Sequence, residues 1–164
     1  MIGGLAIEPR KSARSETTAW VIYTLGIQRF ALPIVLVEKV LPAVEITPLP
    51  KAPQDVVGVI NVQGRIAPVV DGRTRHGMPA RELDVNDQLV LLRAGPRLVA
   101  LLVDQVADVV ECQTHEIVSG ANIAPGMKVQ GALKLKDGTI VLLEDGSQLL
   151  NWLDHDQLEL PIEG

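Results

Sequence analysis

The sequence predicts an all-β protein made of two similar small barrels. Three observations carry that expectation. Aromatic residues make up 2% of a chain that is 47% hydrophobic. The core is therefore built mainly from Val, Leu, Ile and Ala, and β-branched side chains favour strands. Apolar runs recur in pairs about short polar corners, as in hairpins. The chain also repeats itself. Ile34, Val37, Glu38 and Val40 match Ala100, Val103, Asp104 and Val106 at an offset of 66, and GRIAPVVDG at 64–72 matches GTIVLLEDG at 138–146 at an offset of 74. Two copies of hairpin, bridge and second hairpin imply a duplicated barrel rather than a solenoid, which needs more and shorter repeats.

Residues 1–18 are polar and aperiodic, which predicts a flexible tail. From Trp20 to Ile34 two apolar runs flank Gly26-Ile27-Gln28-Arg29, a hairpin. Prolines at 42, 48, 50 and 53 then forbid a long helix and predict extended or edge structure. Pro53 suits the first position of a short helical turn. The next hairpin, GVINVQGRIAPVVDGR at 58–73, turns at Gln63-Gly64-Arg65. An arginine at that corner and Pro68 inside the second run are poor choices for a hairpin that only packs.

Residues 73–87 are polar and broken by Gly77 and Pro79, which predicts a loop between the two halves. A third hairpin turns at Ala94-Gly95-Pro96-Arg97. Residues 98–110 mimic an amphipathic helix, but their β-branched density and their match to the first half predict a strand followed by a tight bend. A fourth hairpin turns at Asp137-Gly138, a favoured turn pair. Only the end reads as helix, with Ser147 as cap and Leu149, Leu150 and Leu153 on the apolar face. One domain thus spans 19–158, with repeat units near 30–85 and 90–150 and a tail at 159–164.

Composition narrows the function. The net charge is −5 and Lys and Arg are scattered, so no basic stripe tracks phosphates and no stacking platform serves bases; nucleic acid is not an expected partner. Cys112 is the lone cysteine, which rules out an internal disulfide framework and fits a reducing compartment. No run approaches the ~20 apolar residues of a membrane span, and the start lacks a signal-peptide core. These features predict a cytoplasmic protein with no direct membrane insertion.

The candidate chemistry is thin. Cys112 and His115 are three apart, but a nucleophile needs a base and a metal needs three or four ligands; only His76 and His155 remain. Asp71, Asp104, Glu144 and Asp145 close apolar runs, where carboxylates commonly accept backbone N–H groups at a turn. Their symmetric duplication argues for that role over catalysis. Barrels of about five strands fill their interiors with side chains, so function is expected on outer faces or in the groove between barrels. No catalytic residue, metal or cofactor is expected. A small ligand-binding β-barrel protein using that groove is the alternative.

Four segments carry a family likeness: FALPIVLVEKV (30–40), LPKAPQDVVGVINVQGRIAPVVD (49–71), LLVDQVADVV (101–110) and GTIVLLEDGSQLL (138–150). In the same order and near-standard spacing, from about Trp20 to Trp152, they resemble the CheW-type chemotaxis coupling proteins. The resemblance implies two five-stranded SH3-like barrels side by side with a short C-terminal helix. It implies a non-enzymatic scaffold in two-component signal transduction, joining a chemoreceptor cytoplasmic tip to the regulatory domain of a CheA-type histidine kinase. Carried over by position, the receptor-binding set is Val37, Lys39, Gly58, Gln63, Leu89, Ala100, Val106 and Val109. Four positions depart from the family's usual text: an acid is usual at Lys39, arginine at Gln63, leucine at Gly72 and glycine at Ala100. An adaptor of a non-chemotactic array, such as one for pilus motility, is a second reading of the same likeness.

Overall fold

The hairpin corners fall where the sequence puts them. The computed structural model describes residues 16–150 apart from 44, 121–122, 124–127 and 147. Strands β1 (Thr17–Leu25) and β2 (Gln28–Pro33) turn through Gly26, whose φ of +64° suits glycine. A single 3-10 turn, Ile34–Leu36, leads into β3 (Val37–Pro42). Strands β4 (Val56–Val62) and β5 (Arg65–Asp71) turn at Gln63 and Gly64. Strands β6 (Gln88–Ala94) and β7 (Arg97–Val103) form the next hairpin, and the chain bends at Asp104 into β8 (Gln105–Gln113). Short β9 (Val118–Ser119) precedes the hairpin of β10 (Val129–Lys134) and β11 (Ile140–Glu144). Residues 98–110 are thus strand, bend and strand.

Local readings need three corrections. Pro53 starts no helix: residues 54–55 are a turn that feeds β4. The loop expected over 73–87 opens with a one-turn helix, α1 (Gly72–Arg75), because the Asp71 carboxylate accepts the Arg73 N–H at 3.0 Å and caps it. Near the C-terminus the cap is Asp145, which accepts the Gln148 N–H at 3.0 Å and, through its carbonyl, the Leu149 N–H at 3.1 Å. Ser147 and Leu153 lie outside the described residues, as do residues 1–15 and the end expected at 158. Strand β1 itself begins at Thr17, two residues before the expected domain start.

The strands form two sheets, ordered β8-β1-β2-β11-β10-β9 and β3-β6-β7-β5-β4. The duplication is visible in that order. Each sheet takes a hairpin (β1-β2 or β6-β7) from one half of the chain and its other strands from the other half. In each, the hairpin's second strand pairs in parallel with the strand ending in an acid, β11 or β5. One sheet has six strands where five were expected, the extra being the two-residue β9. Its counterpart in the other sheet is one bridge, Thr47 with Val59.

Each sheet buries its own aliphatic core. Trp20, Ile22, Ala31, Cys112, Leu133, Val141 and Leu143 fill the six-stranded unit. Ile60, Val62, Ala67, Val69, Leu89, Leu91 and Ala100 fill the other. A third cluster joins them: Tyr23, Leu25, Phe30 and Leu32 from one sheet pack with Val70, Val90, Leu92, Val99, Leu101 and Val103 from the other. Alternation along each strand makes this possible, since successive side chains of β6 or β7 face different clusters. The seam between the units is therefore packed with apolar side chains like a core.

Candidate partner-binding surface

The corner at residues 63–65 sits beside a cleft of about 670 Å³ on the five-stranded unit, lined by Lys39, Leu41, Glu45, Thr47, Val59, Ile60, Asn61, Val62, Gln63 and Ile66. Strand β3 supplies one wall and the β4-β5 hairpin the other. Thr47 and Val59 exchange backbone hydrogen bonds of 2.9 and 2.8 Å across its floor. That close approach requires glycine at 58, where a Cβ would lie 2.2 Å from the Thr47 carbonyl oxygen. Gln63 tolerates its φ of +52° because the Asn61 side chain accepts the Gly64 N–H at 2.8 Å and braces the turn. Pro68 sits one residue before the parallel pairing of β5 with β7 begins at Val69, where that ladder asks for no N–H.

Arg65 has a partner. Its Nη2 donates to Glu38 Oε2 at 3.0 Å, and Arg93 Nε stands 3.4 Å from Glu38 Oε1. Glu38, Arg65 and Arg93 were not among the residues expected at the site. The misplaced arginine at 65 was the signal, but its acid lies 27 residues away and only the curl of the sheet brings the two together.

The expected set divides. Lys39 and Gln63 line the one cleft, and Gly58 shapes its floor. Val37 and Val106 pack half-buried against the cluster between the units. Val109 stands on β8, 51% exposed. Leu89 and Ala100 are fully buried in the five-stranded core, so any effect on a partner passes through the sheet they support. Gly72 is also explained. A Cβ there would lie 2.8 Å from the Leu102 carbonyl oxygen and against Leu25, so the leucine of the family text does not fit this packing.

Two polar networks tie the units together. Glu144 at the end of β11 is fully buried. It accepts from Tyr23 Oη at 3.2 Å, Arg75 Nη2 at 3.1 Å and His76 Nε2 at 2.9 Å. A carboxylate only accepts, so the His76 proton lies on Nε2. The His76 ring stacks on Phe30 at 4.3 Å. Burial alone pushes the Glu144 carboxyl up, but the hydrogen bonds and charges of His76 and Arg75 outweigh it and hold it below the usual glutamate value. Burial, then Glu144, pushes the Tyr23 hydroxyl well above the usual tyrosine value. The second network centres on Asp104, which takes Arg73, Arg81 and the Gly26 N–H at 2.6, 2.8 and 2.7 Å. Burial raises its carboxyl, but Arg73, Gly26 and Arg81 outweigh that and hold it low.

Neither network is arranged for catalysis. His76 and Glu144 are closed off, with side chains 1% and 0% exposed, and their contacts are tyrosine and arginine rather than a nucleophile. Cys112 is buried beside Thr18 Oγ1, while His115 is exposed. Among the described residues no group of three or more His, Cys, Asp or Glu is placed to hold a metal ion, and no helix is long and apolar enough to cross a membrane.

A double-sheet scaffold with an open cleft is suited to holding a partner. The family profile described as CheW-like domain matches residues 19–154. The chemotaxis protein CheW of Rhizobium meliloti is 32% identical over 127 residues, covering 76% of this chain and 82% of that one. Its namesake from Thermotoga maritima is 29% identical over 124 residues, covering 75% and 81%. The crystal structure of the scaffolding protein TtCheW from Thermoanaerobacter tengcongensis has the same fold, with a TM-score of 0.69 at 24% identity, covering 78% of this chain and 84% of that one. The chain belongs to the CheW-like domain family, whose members are scaffolds rather than enzymes.

Proposed function

We propose that this protein is a non-enzymatic coupling adaptor of a chemotaxis system, linking the cytoplasmic tip of a chemoreceptor to the regulatory domain of a CheA-type histidine kinase in the cytoplasm. The observation that carries the reading is family membership across residues 19–154. The geometry supports it: a rigid two-sheet body offers a cleft wide enough for side chains of a helix, with aliphatic walls and polar rims. Helix-in-groove recognition takes most of its energy from such walls and its register from the rims. The receptor hairpin lies along this cleft, with Lys39 and Gln63 at its edges. Gly58, Leu89 and Ala100 shape the sheet beneath.

The reading is tested by mixing the full chain with a receptor cytoplasmic fragment and with the kinase regulatory domain, separately and together. Binding to each, and a ternary complex of all three, is expected. Failure to bind either partner would reject it.

A further inference from the structure

We propose that Arg65, Glu38 and Arg93 form a carboxylate-binding station beside the cleft, to which the receptor hairpin presents an aspartate or glutamate. The inference rests on the adaptor reading above and adds the chemistry of the contact. One acid faces two guanidiniums, through Oε2 to Arg65 at 3.0 Å and through Oε1 to Arg93 at 3.4 Å. The trio therefore carries one uncompensated positive charge. Its exposure is uneven: the Arg65 and Arg93 side chains are 43% and 50% exposed, against 28% for Glu38. All three side chains reach the surface, the two cations more than the acid between them.

Each guanidinium has five N–H donors in a planar fork. Both reach Glu38 through one nitrogen, which leaves an edge of the fork to grip a second carboxylate, a geometry arginine favours. Glu38 lies on β3, Arg65 at the start of β5 and Arg93 on β6. Three strands, not a loop, set the spacing, so the station is preorganised.

Charge selects the kind of partner. Across the cleft and the station, Lys39, Arg65 and Arg93 stand against Glu38 and Glu45. Three cations against two acids give a balance of +1, on a chain whose net charge is −5. An acidic group is repelled by the protein as a whole and attracted at this spot, and such contrast directs both encounter and register. Beside the station, Val35 is 83% exposed in a shallow depression that it shares with Leu36, Val37 and Gly95. It offers an apolar seat next to the charged one, as an amphipathic helix requires.

The test measures binding of the full chain to a receptor cytoplasmic fragment, first with wild type across a salt series. Arg65→Glu and Arg93→Glu are each expected to weaken binding by about tenfold or more, the usual consequence of losing a charge-assisted contact. Arg65→Lys keeps the charge, loses the fork and should weaken binding less. Both sites are exposed, so melting temperatures should stay near wild type and exclude misfolding as the cause. A fragment with one acidic residue changed to arginine should recover affinity for the Arg65→Glu protein. Wild-type binding that neither reversal alters by more than twofold would overturn this inference alone. Reversals that impair binding to the kinase domain and spare the receptor fragment would overturn it too. Absence of wild-type binding would overturn the adaptor reading and this inference with it.

Discussion

Glu38 on β3 and Arg65 at the start of β5 meet at 3.0 Å, although β3 and the β4-β5 hairpin lie at opposite ends of their sheet. The contact, with the Thr47–Val59 bridge beside it, joins the two ends. The family text usually places an acid at 39 and an arginine at 63; this chain has lysine and glutamine there, and the acid and arginine stand at 38 and 65. Both members are partly exposed, so their attraction is screened by water. Arg65→Ala should cost only ~0.2–1 kcal/mol in urea unfolding. A larger loss would show that the pair, and not the backbone bridge, closes the sheet.

Lys39 and Gln63 line one cleft, which makes their mutual effect measurable. Lys39→Glu combined with Gln63→Arg is expected to shift binding toward a standard chemoreceptor tip by more than the two single changes added, because charge placement governs partner choice more than affinity. A double-mutant cycle of binding to that tip reads the coupling directly. Strict additivity would mean that the two positions do not communicate across the cleft.

Gly58 and Gly131 hold matching places in the two sheets. Each follows a register shift, and a Cβ at either would strike the backbone opposite, the Thr47 carbonyl at 2.2 Å or the Val118 carbonyl at 2.5 Å. Backbone cannot step aside as a side chain can. Gly58→Ala is expected to destabilise by about 1–3 kcal/mol, the range of overpacked interiors, and to open the cleft floor. Amide exchange should speed up at Val59, whose N–H donates to Thr47. Unchanged stability and unchanged exchange would contradict the close approach.

The buried Glu144 network gives a prediction with a sign in pH. Glu144 and Asp104 are held below their ordinary values, so the stability they contribute is complete above the unfolded-state values and is lost as pH falls through the folded-state ones. Asp71, raised by burial, works in the opposite direction. Stability in urea should hold from pH 7 to about 4.5 and decline below it as the carboxylates protonate. Glu144→Gln strands the buried Arg75 charge and should cost about 3–5 kcal/mol, whereas pairing it with Arg75→Met should recover much of that loss. An equal loss in the double variant would indicate that Tyr23 and His76, not the ion pair, dominate the network.

Much of the fold is legible in the sequence because its signals are local. Gly26, Gly64, Gly95 and Gly138 mark the turns, and the offsets of 66 and 74 reveal two related units. The exchange of hairpins between halves is not legible: periodicity tells which side chains alternate but not which distant strand they meet. The same limit hides the polar networks. Glu144 looks like an acid closing a strand, and its partners Tyr23 and Arg75 lie 121 and 69 residues away. At the candidate surface, position along the family text names Lys39 and Gln63, which line one cleft. It does not separate them from Leu89 and Ala100, whose burial depends on the opposite sheet face. Arg65 is visible as an anomaly and is resolved only by the curl that brings Glu38 to it.

A coupling adaptor changes the activity of a kinase held at a receptor. The most direct measurement is autophosphorylation of the cognate CheA-type kinase, reconstituted with its chemoreceptor in membranes, at increasing concentrations of this protein. The rate is expected to change with added protein, to saturate, and to require the receptor, while the protein alone turns nothing over. A kinase rate that is the same with and without saturating protein, in the presence of receptor, would contradict the adaptor reading.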